Sequence, residues 1–187
     1  ADVLGLVLYQ LPLAHDIALA GLTCHALCDA AKLALKLRPF SGDSVTLAEH
    51  TGEINCVAAA PDGRVITGAD EGIIKLWPDS FTSERTMQAH GSHVMAVAVL
   101  PGGARFVSGS RDWNLKLWTL DGKLERTFEV GSCVDCIAAL PDGVHFVVGT
   151  DEGEVRLYHV DGTLVGRTAA SSAGHTAAVP DVSVTPD

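Results

Sequence analysis

The 187-residue sequence has no block of consecutive lysines or arginines, and 23 acidic residues outnumber 13 basic ones, for a formal net charge of −10. The electrostatic footprint of a duplex-binding protein is therefore missing, and nucleic acid is not an expected partner. Long apolar runs are also lacking. The charge-free stretches from Asp2 to Asp16 and from Asp16 to Asp29 fall short of the roughly 18 residues that a spanning helix needs. No membrane association is expected. Asp2, Pro12, His15 and Asp16 sit where the apolar core of a secretory leader would lie, which argues against one. Cysteines number five, an odd count without secretory context, so free thiols and a cytoplasmic or nuclear location are expected.

What the sequence does contain is an internal repeat. Aligned on His50, His90, Val130 and His175, four units share one register. Ile54, Val94, Val134 and Val179 follow each start by four residues; Val57, Val97, Ile137 and Val182 by seven; Pro61, Pro101, Pro141 and Pro186 by eleven. Further on come Gly68, Gly109 and Gly149, then Trp77, Trp118 and Tyr158. A period of 40 to 45 residues, with short alternating apolar runs, a proline-opened tight turn and a glycine-marked turn, is the pattern of four strands per unit. In "PDGR", "PGGA" and "PDGV", proline fixes φ and glycine supplies the positive φ of a reversal, so the first two strands of each unit form a hairpin.

These units resemble WD repeats. Gly174-His175 matches the Gly-His dipeptide of that family, and Trp77 and Trp118 match its terminal tryptophan. The resemblance spans residues 44 to 187. The aspartate that follows the tryptophan in the family is replaced by Pro78, Thr119 and His159, and the third unit carries Val130 and Tyr158 in place of His and Trp. The resemblance implies a mainly β fold: a partial β-propeller of three four-stranded blades (about 50–89, 90–129 and 130–174) and the first strand of a fourth (175–187), with an outer latch strand at 44–47. It also implies a buried hydrogen-bonded chain in each blade. Unit two supplies His90, Ser108, Asp112 and Trp118 for it, and unit one His50, Thr67, Glu71 and Trp77. In unit three, Val130, Val148, Glu152 and Tyr158 point instead to apolar packing. His, Ser and Asp together could suggest a hydrolase, but their recurrence at repeat positions makes them staples of the blades, and no catalytic residue is expected.

"HTAAVPDVSVTPD" repeats the first strand of a unit and stops inside the turn, so the sequence reads as a fragment. Three blades and a fraction do not close a ring of 4 to 8, and apolar end faces would favour self-association.

Residues 1 to 40 differ in texture. Leucine and alanine dominate, Pro12 and Pro39 punctuate, and Val3, Leu4, Val7, Leu8 and Leu11 fall at helical spacing, so two or three short helices are expected. The stretch "DVLGLVLYQLPLAHDIALAGLTCHALCDAA" resembles an F-box, with Leu4, Leu8, Leu11, Ile17, Leu22 and Cys24 at its apolar positions; the opening Leu-Pro of the motif is absent and Leu27 stands where an aromatic is common. The resemblance implies that these helices bind a Skp-type adaptor and, through it, a cullin ubiquitin ligase. The propeller would then collect a protein or peptide substrate.

Binding residues are expected on the loops joining one unit to the next and on the turns between second and third strands. Those positions hold Glu53, His93 and Cys133, and Asp70, Arg111 and Asp151, with Trp113 beside Arg111. Tryptophan and arginine are over-represented among residues that carry binding energy; alternatively, Trp113 only covers the neighbouring turn. Arg64 and Arg105 follow the hairpin turns and belong near the opposite face. Cys24, His25 and Cys28, and the Cys133-x-x-Cys136 pair, raise zinc. Positions three apart on a strand point to opposite faces, so core cysteine is favoured and neither metal nor cofactor is expected. The functional readings are a ligase substrate-recognition subunit, a WD-repeat scaffold with no ligase link, and, last, an enzyme, for which no nucleophile–base pair or cofactor loop stands outside the repeat.

Overall fold

The computed structural model describes residues 50–78, 85–168 and 177–184. The helices expected over 1–40, with Leu4, Leu8, Leu11, Ile17 and Leu22, and the latch strand at 44–47 lie outside the described residues.

Twelve strands make three sheets. The first holds β1 (Ile54–Ala59), β2 (Val65–Ala69), β3 (Ile73–Trp77) and β4 (Arg85–Gln88). The second holds β5 (Val94–Val99), β6 (Arg105–Ser110), β7 (Asn114–Thr119) and β8 (Leu124–Glu129). The third holds β9 (Val134–Ala139), β10 (His145–Thr150), β11 (Val155–His159) and β12 (Leu164–Arg167). Each is an antiparallel meander in which sequence neighbours are sheet neighbours. The registers repeat: Val65 opposes Trp77, Phe106 opposes Trp118 and Phe146 opposes Tyr158.

A bulge recurs as well. Asn55, Met95 and Asp135 are each skipped where the first strand of a blade pairs with the second. An extra residue there bends the strand and re-aims its side chain.

The sheets stack face to face, first strands side by side, and each core lies between two blades. Ile66, Ile74, Leu76 and Met87 of the first meet Val94, Val97, Phe106 and Trp118 of the second. Val107, Leu115, Leu117 and Phe128 of the second meet Val134, Phe146, Val148 and Tyr158 of the third. Burial of this kind contributes about 1.5–3 kcal/mol per large side chain.

Close stacking explains the repeated glycines. Gly68, Gly109 and Gly149 sit within β2, β6 and β10, not in a turn. A Cβ there would run into Val94, Val134 and Val179 respectively. The positive φ of the turn after those strands belongs to Gly72, Trp113 and Gly153.

Residues 177–184 hold no strand. The first strand of a fourth blade expected over 175–187 extends beyond these described residues. The segment still follows the repeat: Val179 is buried, its N–H donates to the Thr150 carbonyl, and its side chain covers Gly149 as Val134 covers Gly109.

Candidate functional site

Each blade joins its entry loop to its central turn by one backbone bond. Asp70 N–H donates to the Glu53 carbonyl, Arg111 N–H to that of His93, and Asp151 N–H to that of Cys133, at 3.0, 3.1 and 3.2 Å. The six loop and turn positions singled out in the sequence thus meet in pairs at one end of the blades. Side chains then link neighbouring blades. His93 Nδ1 lies 2.5 Å from Asp70 Oδ1, and the Cys133 thiol lies 3.9 Å from the Arg111 carbonyl. Asp151 Oδ1 accepts from the Cys133 N–H at 3.1 Å.

Two bulged residues that sequence reasoning passed over belong to this end. Asn55 Nδ2 donates to Asp70 Oδ1 at 2.8 Å and to the Val94 carbonyl at 3.2 Å. The Asn55 amide, His93 and Arg111 together hold the Asp70 carboxyl below its ordinary value. Burial and the Asp151 charge push Asp135 up, with Arg111 opposing. Their signal in the sequence was a polar residue inside an apolar first strand, in register between units.

Trp113 stands apart. Its φ is 67°, the left-handed region, and the residue is 59% exposed. A bulky residue with positive φ is an outlier. An open hollow beside it is lined by Asp112, Asn114, Glu129 and Gly131.

Beneath this surface lie the hydrogen-bonded chains. In blade two the Trp118 indole N–H donates to Ser108 Oγ at 2.9 Å, Ser108 Oγ lies 2.8 Å from His90 Nε2, and His90 Nδ1 lies 2.9 Å from Asp112 Oδ2. Because the indole can only donate, the serine hydroxyl donates to Nε2 and the imidazole carries its proton on Nδ1, facing the carboxylate. Burial keeps His90 below its ordinary pKa although Asp112 opposes this. Burial works against the Asp112 carboxylate, yet the Gly91 N–H and His90 hold its pKa below the usual range.

Blade one repeats the chain with a longer acid. Trp77 donates to Thr67 at 2.8 Å, and His50 lies 2.7 Å from both Thr67 and Glu71. Glu71 accommodates its extra methylene by also accepting from the Gly52 N–H at 2.9 Å. In blade three Val148 and Tyr158 pack in the apolar core with Val130 against them, while Glu152 turns outward toward Arg156. A further staple went unread in the sequence: Lys116 Nζ donates to the Ala89 carbonyl and Arg156 to that of Val130, each tying a third strand to its entry loop.

The chemistry of these groups is positional. The His–Ser–Asp chain of blade two is closed off by its own tryptophan, with Ser108 fully buried. Among the described residues no group of three or more His, Cys, Asp or Glu side chains is placed to hold a metal. Cys133 is half-buried and Cys136 is buried, its thiol pushed up to about 11, chiefly by burial. Cys24, His25 and Cys28 lie outside the described residues.

Residues 43–78 and 81–119 match the WD domain, G-beta repeat. Relatives include DDB1- and CUL4-associated factor 13 of Dictyostelium discoideum, 36% identical over 45% of this chain and 19% of that protein. Small ribosomal subunit protein RACK1y of Oryza sativa subsp. japonica is 31% identical over 46% of this chain and 27% of its own length. WD repeat-containing protein 1 of Gallus gallus is 32% identical over 48% and 16%. The chain thus spans less than a third of the length of these relatives. Among solved structures, the RRP9 WD40 repeats superpose with a TM-score of 0.71 at 22% identity, covering 76% of this chain and 45% of that one. U3-55K gives 0.68 at 21%, covering 73% and 44%. The repeat matches, the WD-repeat relatives and the three blade-like sheets together support a WD-repeat β-propeller family for this chain.

Proposed function

We propose that the chain is a protein-interaction platform whose partner docks on the loop-and-turn face holding Asp70, His93, Arg111, Trp113, Cys133 and Asp151. The observation that carries this reading is Trp113, an exposed tryptophan in a backbone conformation that blades one and three give to glycine. Strain of that kind persists where the surrounding structure over-determines it and is concentrated at functional sites. Arg111, exposed beside it, supplies the second residue type that anchors interfaces.

The finer reading is that the chain serves a cullin-type ubiquitin ligase as its substrate-recognition subunit, with a Skp-type adaptor held by Leu4, Leu8, Leu11, Ile17 and Leu22. The F-box-like sequence supports it, as does a relative whose name carries association with DDB1 and CUL4. The protein would work in the cytoplasm or nucleus, in line with three free thiols among the described cysteines, and would perform no chemistry itself. The alternative is a scaffold with no ligase link, favoured by relatives named only as a WD-repeat or ribosomal-subunit protein.

Affinity isolation of the tagged chain followed by immunoblotting separates the two. A Skp-type adaptor and a cullin retained by the wild type and lost with Leu8→Asp support the ligase reading. Retention of other partners with neither of these supports the plain scaffold.

A further inference from the structure

In blades one and three the hairpin turn holds the basic residue that follows it. Arg64 Nε lies 2.8 Å from Asp62 Oδ2, and His145 Nδ1 lies 2.6 Å from Asp142 Oδ2. Arg64 also donates to the Leu120 carbonyl of the next blade at 3.0 Å. Register makes Arg105 the counterpart in blade two, since Arg64, Arg105 and His145 each precede the residue that opposes Trp77, Trp118 or Tyr158. There, however, the turn reads Pro101-Gly102-Gly103, and the carboxylate is gone. Among the described residues the Arg105 side chain makes no hydrogen bond or ion pair.

Arg105 lines an open groove of about 510 Å³ between blade two and the Val160–Asp161 turn of blade three, together with Lys123 and Arg126. The Lys123 side chain is likewise without a partner among the described residues. Arg126 places one guanidinium nitrogen on the Asp161 carbonyl at 2.8 Å and keeps its other donors. Leu117, Leu124 and Val160 supply an apolar wall, and Glu125 and Asp161 put two carboxylates at the same groove. The matching groove between blades one and two, lined by Arg64 and Arg85, has both arginines engaged, the second on the Asp121 carbonyl. Among the described residues, the junction between blades two and three thus differs from that between blades one and two in holding the unengaged cations Arg105 and Lys123.

We propose that this groove is a carboxylate-binding site that takes an acidic polypeptide segment of a partner protein. A Glu or Asp side chain is held by the guanidinium forks of Arg105 and Arg126 with Lys123 beside them, and a neighbouring apolar side chain rests on Leu117, Leu124 and Val160. Three cations set against two carboxylates leave one positive charge, which suits a monoanion, whereas a phosphate dianion would also face Glu125 and Asp161. The inference rests on the interaction-platform reading, but it uses the end of the blades opposite to Trp113.

Fluorescence anisotropy of the whole chain with a labelled Gly-Glu-Leu-Glu-Glu-Leu-Glu-Gly peptide tests it, beside versions with glutamine or phosphoserine in place of glutamate. The glutamate peptide is expected to bind, the glutamine peptide to fail, and affinity to fall as salt rises. Arg105→Ala should weaken binding about tenfold with an unchanged urea midpoint, Arg105→Lys should retain part of it, and Arg167→Ala, on β12, should have no effect. Equal binding of the glutamate and glutamine peptides, wild-type affinity in Arg105→Ala, or binding of the phosphoserine peptide alone would overturn the proposal. Failure here with Trp113-dependent capture of partners intact removes the groove and leaves the platform; loss of Trp113 dependence alone does the reverse.

Discussion

Trp113 and Gly153 occupy the same point of the repeat and the same half of backbone space, with φ of 67° and 79°. Glycine adopts that conformation freely and a tryptophan does not. Trp113→Gly is therefore expected to stabilise the fold by about 1 kcal/mol, read as a higher urea midpoint at unchanged slope. A lower midpoint would show that the indole contributes more packing than its backbone costs.

Gly109 is the contact point between blades two and three. Gly109→Ala drives a methyl into Val134, and overpacking of this kind costs about 1–3 kcal/mol. Gly166→Ala, with open space around it, should leave stability nearly unchanged. Equal midpoints for the two variants would contradict the account of why glycine recurs on the second strand.

Ser108 both accepts from Trp118 and donates to His90, so Ser108→Ala strands two buried groups at once. An unsatisfied buried group costs about 1–3 kcal/mol, and a loss in that range is expected in denaturant melts. Thr67→Ala, in the less buried chain that includes His50 and Glu71, should cost no more. A Ser108→Ala melt indistinguishable from wild type would show that the chain is held by packing alone.

Acid should act in two stages. Burial depresses His90, so its contribution is complete above the ordinary value of 6.5 and is lost as pH falls from there toward the folded-state value, where the unfolded chain takes up a proton that the buried imidazole refuses. Asp112 and Glu71 are also depressed. Their contribution is present above the ordinary values of 3.8 and 4.5 and disappears as pH falls through the lower folded values. Thermal melts from pH 7.5 to 3 should show both losses, and His90→Gln should lack the first. A wild-type melting temperature that is flat between pH 7 and 5 would contradict this.

The sheets were legible because two periods coincide in the sequence: the alternation along each strand and the recurrence of His, Pro, Gly and Trp between units. The role of the repeated glycine was not, since Gly68, Gly109 and Gly149 serve a neighbouring blade and not their own turn. Trp113 was singled out for its residue type, while its strain became visible only when Gly72 and Gly153 proved to share its φ. The open state of Arg105 was hidden for a related reason. It follows from Gly102 standing where the other turns have Asp62 and Asp142, an absence that matters only once Arg64 and His145 are seen bonded to those carboxylates. Asn55 and Asp135 escaped notice because a bulge breaks the alternation by which strand residues are sorted.

The central claim is that the Trp113 face is kept for a partner at the expense of local stability. Quantitative mass spectrometry of complexes isolated with tagged wild type and Trp113→Gly, at matched expression and beside their urea midpoints, tests it. The account predicts that the variant is the more stable protein and loses the partners that dissociate from wild type on Arg111→Ala. Undiminished partner recovery by Trp113→Gly would contradict it.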